Sequence, residues 1–451
     1  MTVMAGGIER DLSRIVGDAF VLRADVDGGR YGHDMTDRAG VRGRADAVVM
    51  PGSVEEVAGL LRWSDAHDVP IVPRGGGTGY AGGATPVDGG VVLAMERLNA
   101  VHQLDPLQWR IHVGAGVTTG TVQRLARENG LVFPVDPGAA EESQIGGNVA
   151  TNAGGPHCFK YGTMRAWVTG LRAVLPLGEV VALGGPQRKD VAGYDLIGLL
   201  VGSEGTLGVV TDVWLKLMPP PPVSYPVCAV FRDAAAGADA IEAVLASGAV
   251  PAAIEYLDDI VARAMWPTAP SGFPDEPGFL VIAEVDSSEA DRDAVLDALG
   301  PGAFAADPRA LWRWRDGVGH AVMNLKGGKV SEDIAVPTDQ LARAVEETQA
   351  IGRRFGVLGC SWGHAGDGNL HSTFVFDADD PSGAEQANRA AEAVLDLAIE
   401  LGGTITGEHG VGRLKSGHLR RQWAPAAVSV HGAIKRLFDP KNLLNPGKKL
   451  A

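Results

Sequence analysis

Pro73-Arg-Gly-Gly-Gly-Thr-Gly-Tyr-Ala-Gly-Gly-Ala84 decides how this chain is read. It follows an apolar run, Val69-Pro-Ile-Val72, and leads into another, Gly90-Val-Val-Leu-Ala-Met95, both with strand character. Glycine lets a backbone bend where a side chain would clash, and a concave run of amides binds anions, phosphate and diphosphate above all. A flexible linker is the alternative, since glycine makes up 62 of the 451 residues, but a linker does not belong between two strands inside a domain. Gly77-Thr-Gly79-Tyr-Ala-Gly82 also fits the GxGxxG spacing of a dinucleotide-binding βαβ unit, with Glu96 downstream. That fingerprint needs a helix to open on the glycines, so that its N-terminus meets the pyrophosphate. Here Gly83-Ala-Thr-Pro86-Val-Asp-Gly-Gly90 follows, which cannot start a helix. The stretch reads as strand, anion-binding loop, strand.

Upstream, Ser53-Val-Glu-Glu56 is a capping box, and Val54, Val57, Leu60 and Leu61 continue it at helical spacing to an end near Asp68. Downstream, Trp109-Arg-Ile-His-Val113 alternates like a strand, and Thr118 to Asn129 reads as a helix closed by Gly130. A second glycine-rich stretch, Asp136 to Gly155, offers another wall for one extended anionic ligand. Leu171-Arg-Ala-Val-Leu175 and Glu179-Val-Val-Ala-Leu183 pair as a hairpin about Pro176-Leu-Gly178. A third glycine motif, Gly202 to Gly208, precedes a strand from Val209 to Leu217. Pro219-Pro-Pro-Pro222 can continue neither sheet nor helix, which sets a boundary between a domain at 1–220 and another at 221–451. In the second half, strand-like runs such as Ala253-Ile-Glu-Tyr-Leu257 and Phe279-Leu-Val-Ile-Ala283 alternate with alanine-rich helices such as Asp233 to Ala246. That pattern predicts an α+β domain with a sheet and helices on one face.

Composition narrows the function. The formal net charge of −15 argues against nucleic acid as a partner, because phosphate backbones require a basic surface. Three distant cysteines without a CxxC exclude a disulfide framework and fit a reducing compartment. The start, MTVMAGGIERDL, lacks signal-peptide character, and no apolar run could span a bilayer. The expectation is a cytoplasmic protein, compatible with peripheral attachment to the inner face of a membrane.

Chemistry concentrates in Cys360-Ser-Trp-Gly-His364-Ala-Gly-Asp-Gly-Asn-Leu-His371. Two strands about an Ala-Gly-Asp-Gly turn bring two imidazoles together, a partial ligand set for a divalent metal. Gly407-Glu408-His409-Gly410 adds a carboxylate and a third imidazole. Two His and one carboxylate with open positions suit a Zn or Mn class ion. In an extended segment Glu408 and His409 point apart, so one can ligate while the other serves as a base. Arg313 and Arg315 lie on different faces of one helix, so at most one turns inward, where it could pair with a carboxylate. Lys326 and Lys329 are the other local cations.

These motifs together carry a resemblance. PRGGGTGYAGGA, DPGAAEESQIGGNVATNAGG, KYGTMR and GYDLIGLLVGSEGTLGVVT resemble the FAD-binding (PCMH-type) domain of the vanillyl-alcohol oxidase family. GHAGDGNLH, GTITGEHGVGRLK and LFDPKNLLNPGK resemble the C-terminal domain of FAD-linked 2-hydroxyacid dehydrogenases, the group of glycolate oxidase catalytic subunits, D-lactate dehydrogenases and D-2-hydroxyglutarate dehydrogenases. The resemblance runs from about Arg44 to Lys448 and implies an FAD enzyme. Arg74, Gly75, Gly76, Gly77, Thr78 and Gly79 would cradle the pyrophosphate. Pro137, Gly138, Gly146, Gly147 and Asn152 would line the flavin and ribityl region, with Glu204 and Gly208 toward the rest of the nucleotide. His364, His371 and Glu408 would hold the metal, His409 would be the base, and Arg315 would take the substrate carboxylate. Thr78 stands where many relatives carry a flavin-linking His, which implies non-covalent FAD. The D-2-hydroxyglutarate branch has a Thr shortly after its substrate Arg; here Gly317-Val-Gly319 occupies that stretch, which favours a smaller 2-hydroxy acid. The implied reaction oxidises a D-2-hydroxy acid to the 2-oxo acid, with electrons passed on to a quinone, a cytochrome, an electron-transfer flavoprotein or oxygen. The rivals are a flavin-free metal hydrolase, a flavoprotein electron-transfer subunit needing a partner, and a D-2-hydroxyglutarate-type dehydrogenase.

Overall fold

A computed structural model describes residues 2–23, 28–36 and 40–450. The chain divides into two compact units. The first comprises Met1–Gly154, Gly162–Pro220 and Glu408–Ala451; the second comprises Gly155–Tyr161 and Pro221–Gly407. The proline run thus sits at a unit edge. The single boundary read from sequence does not provide for the short excursion at 155–161 or for the return at Glu408.

The first unit holds two sheets. One has the order β1-β2-β4-β3, with β1 Val21–Arg23, β2 Ala47–Val49, β3 Ile71–Arg74 and β4 Val91–Ala94. β4 runs parallel to both β2 and β3. Parallel neighbours usually need a helical crossover; β3 and β4 are joined instead by the glycine loop, with no helix between them. The helix Val54–His67 packs Val57, Leu60 and Leu61 into the core under this sheet. Its cap is the one expected: Ser53 Oγ accepts from Glu56 N–H at 3.1 Å, while Glu56 reaches back to Gly52 N–H at 2.7 Å. A helix that the weakly patterned start did not signal, Thr2–Val16, adds Leu12 and Val16 to the same core. The second sheet has the order β5-β6-β9-β7-β8, with β5 Val101–Asp105, β6 Arg110–Gly114, β7 Val168–Val174, β8 Val180–Gly184 and β9 Val209–Lys216. The hairpin of β7 and β8 turns where the sequence placed it, with Gly178 at φ 87°. The C-terminal segment returns alongside β3, where Ile71 N–H donates to Leu443 O and Asn445 N–H to Ile71 O.

The second unit is built on one seven-stranded antiparallel sheet, ordered β13-β10-β12-β11-β15-β16-β14. Its strands are β10 Tyr225–Phe231, β11 Ala253–Leu257, β12 Phe279–Val285, β13 Phe304–Ala305, β14 Gly327–Ala335, β15 Leu358–His364 and β16 Asn369–Asp377. One face meets long helices: Gly237 of Ala234–Ala246 lies against the Phe279 ring, and Thr348 of Leu341–Phe355 shares a hydrogen bond with Ser372. The opposite face is covered by the short helices Asp259–Met265, Pro308–Asp316 and Val318–Asn324. They pack Val261, Leu311, Trp314 and Val322 on Leu257, Ile282, Cys360 and Trp362. This second layer adds to the one-sided packing expected from sequence, and it carries Arg315.

Candidate functional site

Two arrangements of functional residues stand in the structure, one in each unit. The first is the glycine loop. Among the described residues, no amide from Gly75 to Gly79 donates to a protein acceptor. Buried amides are almost always paired, so a run left open in this way is a binding surface for an anion. The loop can lie this close to its neighbour only without side chains: a Cβ on Gly76 would stand 2.1 Å from Glu142 O. Gly77, at φ 72°, sits under the Arg74 guanidinium. The Arg74 guanidinium lies against Gly77 of the loop, and its hydrogen bonds run to the N-terminal segment. It donates to His33 O at 2.7 Å and Arg30 O at 3.0 Å, so its cation pins the N-terminal segment. Gly147 and Gln144 line the other side of Gly75, and the buried Gln144 Oε1 has no hydrogen-bond partner. Open amides beside an orphaned acceptor match a diphosphate carried with hydroxyl groups, which is the chemistry of the FAD linker.

Other residues assigned to the cofactor also make contacts within the protein. Gly146 presses on Ala115, and Gly208 on Leu200 and Val174 O, so both are packing glycines. Gly138 and Pro137 lie in open coil, with nothing within 4 Å of a Cβ on Gly138. Asn152, at φ 54°, accepts from Thr163 Oγ1 and Arg165 N–H and thereby clasps the two stems of the 155–161 excursion. The Glu204 carboxylate accepts from Val411 N–H at 2.9 Å and Gly412 N–H at 2.7 Å, with Lys449 at 3.2 Å. These bonds fix the segment after His409. His409 stacks on Tyr80, the residue that ends the glycine loop, with centroids 4.8 Å apart. Thr78 lies in the loop, half-buried.

The second arrangement is a row of polar side chains on the short-helix face of the seven-stranded sheet. Strand alternation puts Glu284 (β12), Glu255 (β11), His364 (β15), His371 (β16) and Asp333 (β14) on one side, in strand order. His364 and His371 are buried, their rings perpendicular with centroids 5.4 Å apart, and a ring nitrogen of each lies within 4.8 Å of the other. Two buried imidazoles that close fit a shared ion. Glu255, fully buried, meets His364 Nδ1 at 2.5 Å and forms an ion pair with Arg315. Burial pushes the Glu255 carboxyl up, but Arg315 and His364 outweigh it and hold it below the usual range. Of the two candidate arginines, Arg315 turns inward and Arg313 is exposed. Arg315 Nε is buried without a hydrogen-bond partner.

Asp333 receives Asn369 Nδ2 at 2.6 Å, Thr406 Oγ1 at 2.8 Å and Gly407 N–H at 2.9 Å. Asp333 is the cross-strand partner of His371, so this anchor fixes the chain one residue before Glu408. Glu408 and His409 themselves belong to the first unit. At the other end of the row, Glu284 accepts from His157 at 2.9 Å, Trp312 Nε1 at 2.8 Å and Ser224. Lys160 and Tyr161 both bond Asp286. The excursion 155–161 is therefore clamped to this sheet, and Phe159 packs on Gly366 in the turn between the two histidines. Sequence reasoning missed Glu255, Glu284 and Asp333. The available signal was a single acid inside an apolar strand, which cannot be buried without partners.

Residues 221–449 match the family described as FAD linked oxidases, C-terminal domain, and residues 45–184 match the FAD binding domain family. The glycolate oxidase subunit GlcD of Bacillus subtilis is 36% identical over 441 residues, covering 95% of this chain and 93% of that protein. The probable mitochondrial D-lactate dehydrogenase of Danio rerio is 34% identical over 420 residues, covering 90% of this chain and 84% of that protein. The crystal structure of p-cresol methylhydroxylase with substrate bound superposes with a TM-score of 0.80 at 19% identity, covering 98% of this chain and 96% of that one. That last likeness is one of fold.

Proposed function

This chain belongs to the FAD-linked oxidases, and from that premise we propose that it oxidises a small D-2-hydroxy monocarboxylate, glycolate or D-lactate in kind, to the 2-oxo acid. The observation that carries the reading is the inward-turned Arg315, whose buried Nε has no hydrogen-bond partner, on the same sheet face as the His364–His371 pair. A guanidinium beside an ion site is what a 2-hydroxy carboxylate needs: one charge for the carboxylate, one electrophile for the hydroxyl.

Bound FAD supplies the hydride acceptor, and a divalent ion of the Zn or Mn class makes the hydroxyl more acidic. The remaining work falls to the chain. The loop amides from Gly75 to Gly79 hold the diphosphate, without a covalent link, since Thr78 is no nucleophile toward flavin. His364 and His371 hold the ion, with Glu408 as the carboxylate ligand that the Gly407-Glu-His-Gly410 motif offers. Arg315 binds the carboxylate and fixes the C2 hydrogen's direction. His409 removes the hydroxyl proton, its ring steadied by Tyr80. Lys329, the cation a second carboxylate would use, donates to Gly319 O at 2.9 Å over Trp362, which favours a monocarboxylate. No described helix is long and apolar enough to cross a membrane.

The test is an anaerobic absorbance titration of the yellow protein with D- and L-2-hydroxy acids. Bleaching by glycolate or D-lactate, with the L-lactate and D-2-hydroxyglutarate spectra unchanged, is expected. A flavin that no 2-hydroxy acid reduces would overturn the reading.

A further inference from the structure

We propose that Glu255 is the positioning residue of this site: it selects which nitrogen of His364 is presented to a divalent ion and sets the direction of the Arg315 guanidinium. The inference rests on the reading above, in which His364 is a ligand and Arg315 meets the substrate.

Glu255 is the direct cross-strand partner of His364, and both side chains rise from the same sheet face. A carboxylate can only accept, so the contact of Glu255 Oε1 with His364 Nδ1 makes Nδ1 the donor and leaves the lone pair on Nε2. A carboxylate behind an imidazole in this way orients the ring and raises its basicity as a ligand. Glu255 is fully buried, and an isolated carboxylate there would be prohibitive. The Arg315 ion pair removes that obstacle while fixing the guanidinium on the sheet. The same pairing leaves Arg315 Nε buried and open, the donor a substrate carboxylate would occupy. One side chain thus ties the ligand for the hydroxyl to the ligand for the carboxylate: a β-ladder fixes it against His364, and an ion pair joins it to Arg315 on the covering helix.

The probe is Zn2+ titrated into FAD-loaded, metal-stripped protein by calorimetry, for the parent chain, Glu255→Gln and His364→Ala. Glu255→Gln should weaken Zn2+ binding roughly 10- to 100-fold and raise KM for the hydroxy acid, with the flavin spectrum unchanged. His364→Ala should remove the site. Parent-like Zn2+ affinity in Glu255→Gln beside loss of binding in His364→Ala overturns this inference and leaves the ligand assignment standing. Parent-like binding in His364→Ala overturns the ligand assignment, and this inference with it. Should Glu255→Gln fail to fold with Arg315 unbalanced, Glu255→Gln/Arg315→Met removes both charges. It should fold and bind Zn2+ with the same 10- to 100-fold deficit, and parent-like affinity there again overturns the proposal.

Discussion

The glycine loop of the first unit is made of backbone, the charged row of the second is made of side chains, and the two respond to change in opposite ways. No substitution other than proline deletes a backbone N–H; the others can only block it, and one added Cβ suffices. A side-chain row can be dismantled group by group, but its members share charge, so each removal is felt by the next. The loop has no titratable group in its working surface. The row runs through five strands and a helix, and nearly every member is ionisable.

The largest effect should come from blocking the loop. Gly76→Val places carbon against Glu142 O, where a Cβ would stand at 2.1 Å. The protein should fold by circular dichroism yet purify colourless and inactive. A yellow Gly76→Val protein would show that the loop is not what holds FAD. Next comes removal of one side chain with the cradle intact. His409→Ala should keep its flavin while the rate of anaerobic bleaching falls about 10³-fold, the scale of a lost general base; an unchanged rate in stopped flow would place the base elsewhere.

Smaller, and specific to the side-chain region, is the pH response of Asp258. This fully buried carboxyl caps the helix Asp259–Met265, and burial, outweighing its bonds from Val261 and Ser361 N–H, pushes its pKa up from 3.8 to about 7. The folded state then holds a proton that the unfolded state releases. Stability should therefore fall as pH rises between about 4 and 7, by up to roughly 4 kcal/mol, and Asp258→Asn should flatten that slope in urea midpoints. Flavin retention should not follow the same curve, since amides do not titrate. The smallest effect tests whether either region reaches the periphery. Ser53→Ala removes one N-cap bond and should cost about 1 kcal/mol, with flavin content and turnover unchanged.

The same contrast explains what could be read in advance. Backbone demands are local, so the loop between β3 and β4, the β7–β8 hairpin and the capped helix Val54–His67 were legible from a few consecutive residues. Where glycine misled, it did so because tertiary packing overrode propensity: Ile145–Thr151 is helical with two glycines inside, since Gly146 must lie against Ala115 and Gly147 against Gly75. The His364–His371 pair was legible because one hairpin carries both. Glu255, Glu284 and Asp333 were not, because nothing in sequence says that residues 255 and 364 are cross-strand partners. Arg315 could be named as a candidate, but which of Arg313 and Arg315 turned inward depended on the layer of short helices. The partners of Glu204 could not be read for a related reason, lying some two hundred residues downstream at Val411 and Gly412.

The chain passes between its two units four times, at residues 154/155, 161/162, 220/221 and 407/408. A gene cut at the proline run would therefore not release two modules. The downstream piece would lack His157, Lys160 and Tyr161, leaving Glu284 and Asp286 without these partners, and would carry 408–451 as a tail with no sheet to join. The upstream piece would lose the strand-like partner of Ile71. Recombination that shuffles whole domains among proteins has no clean seam here, so the two halves must be inherited, and must change, together.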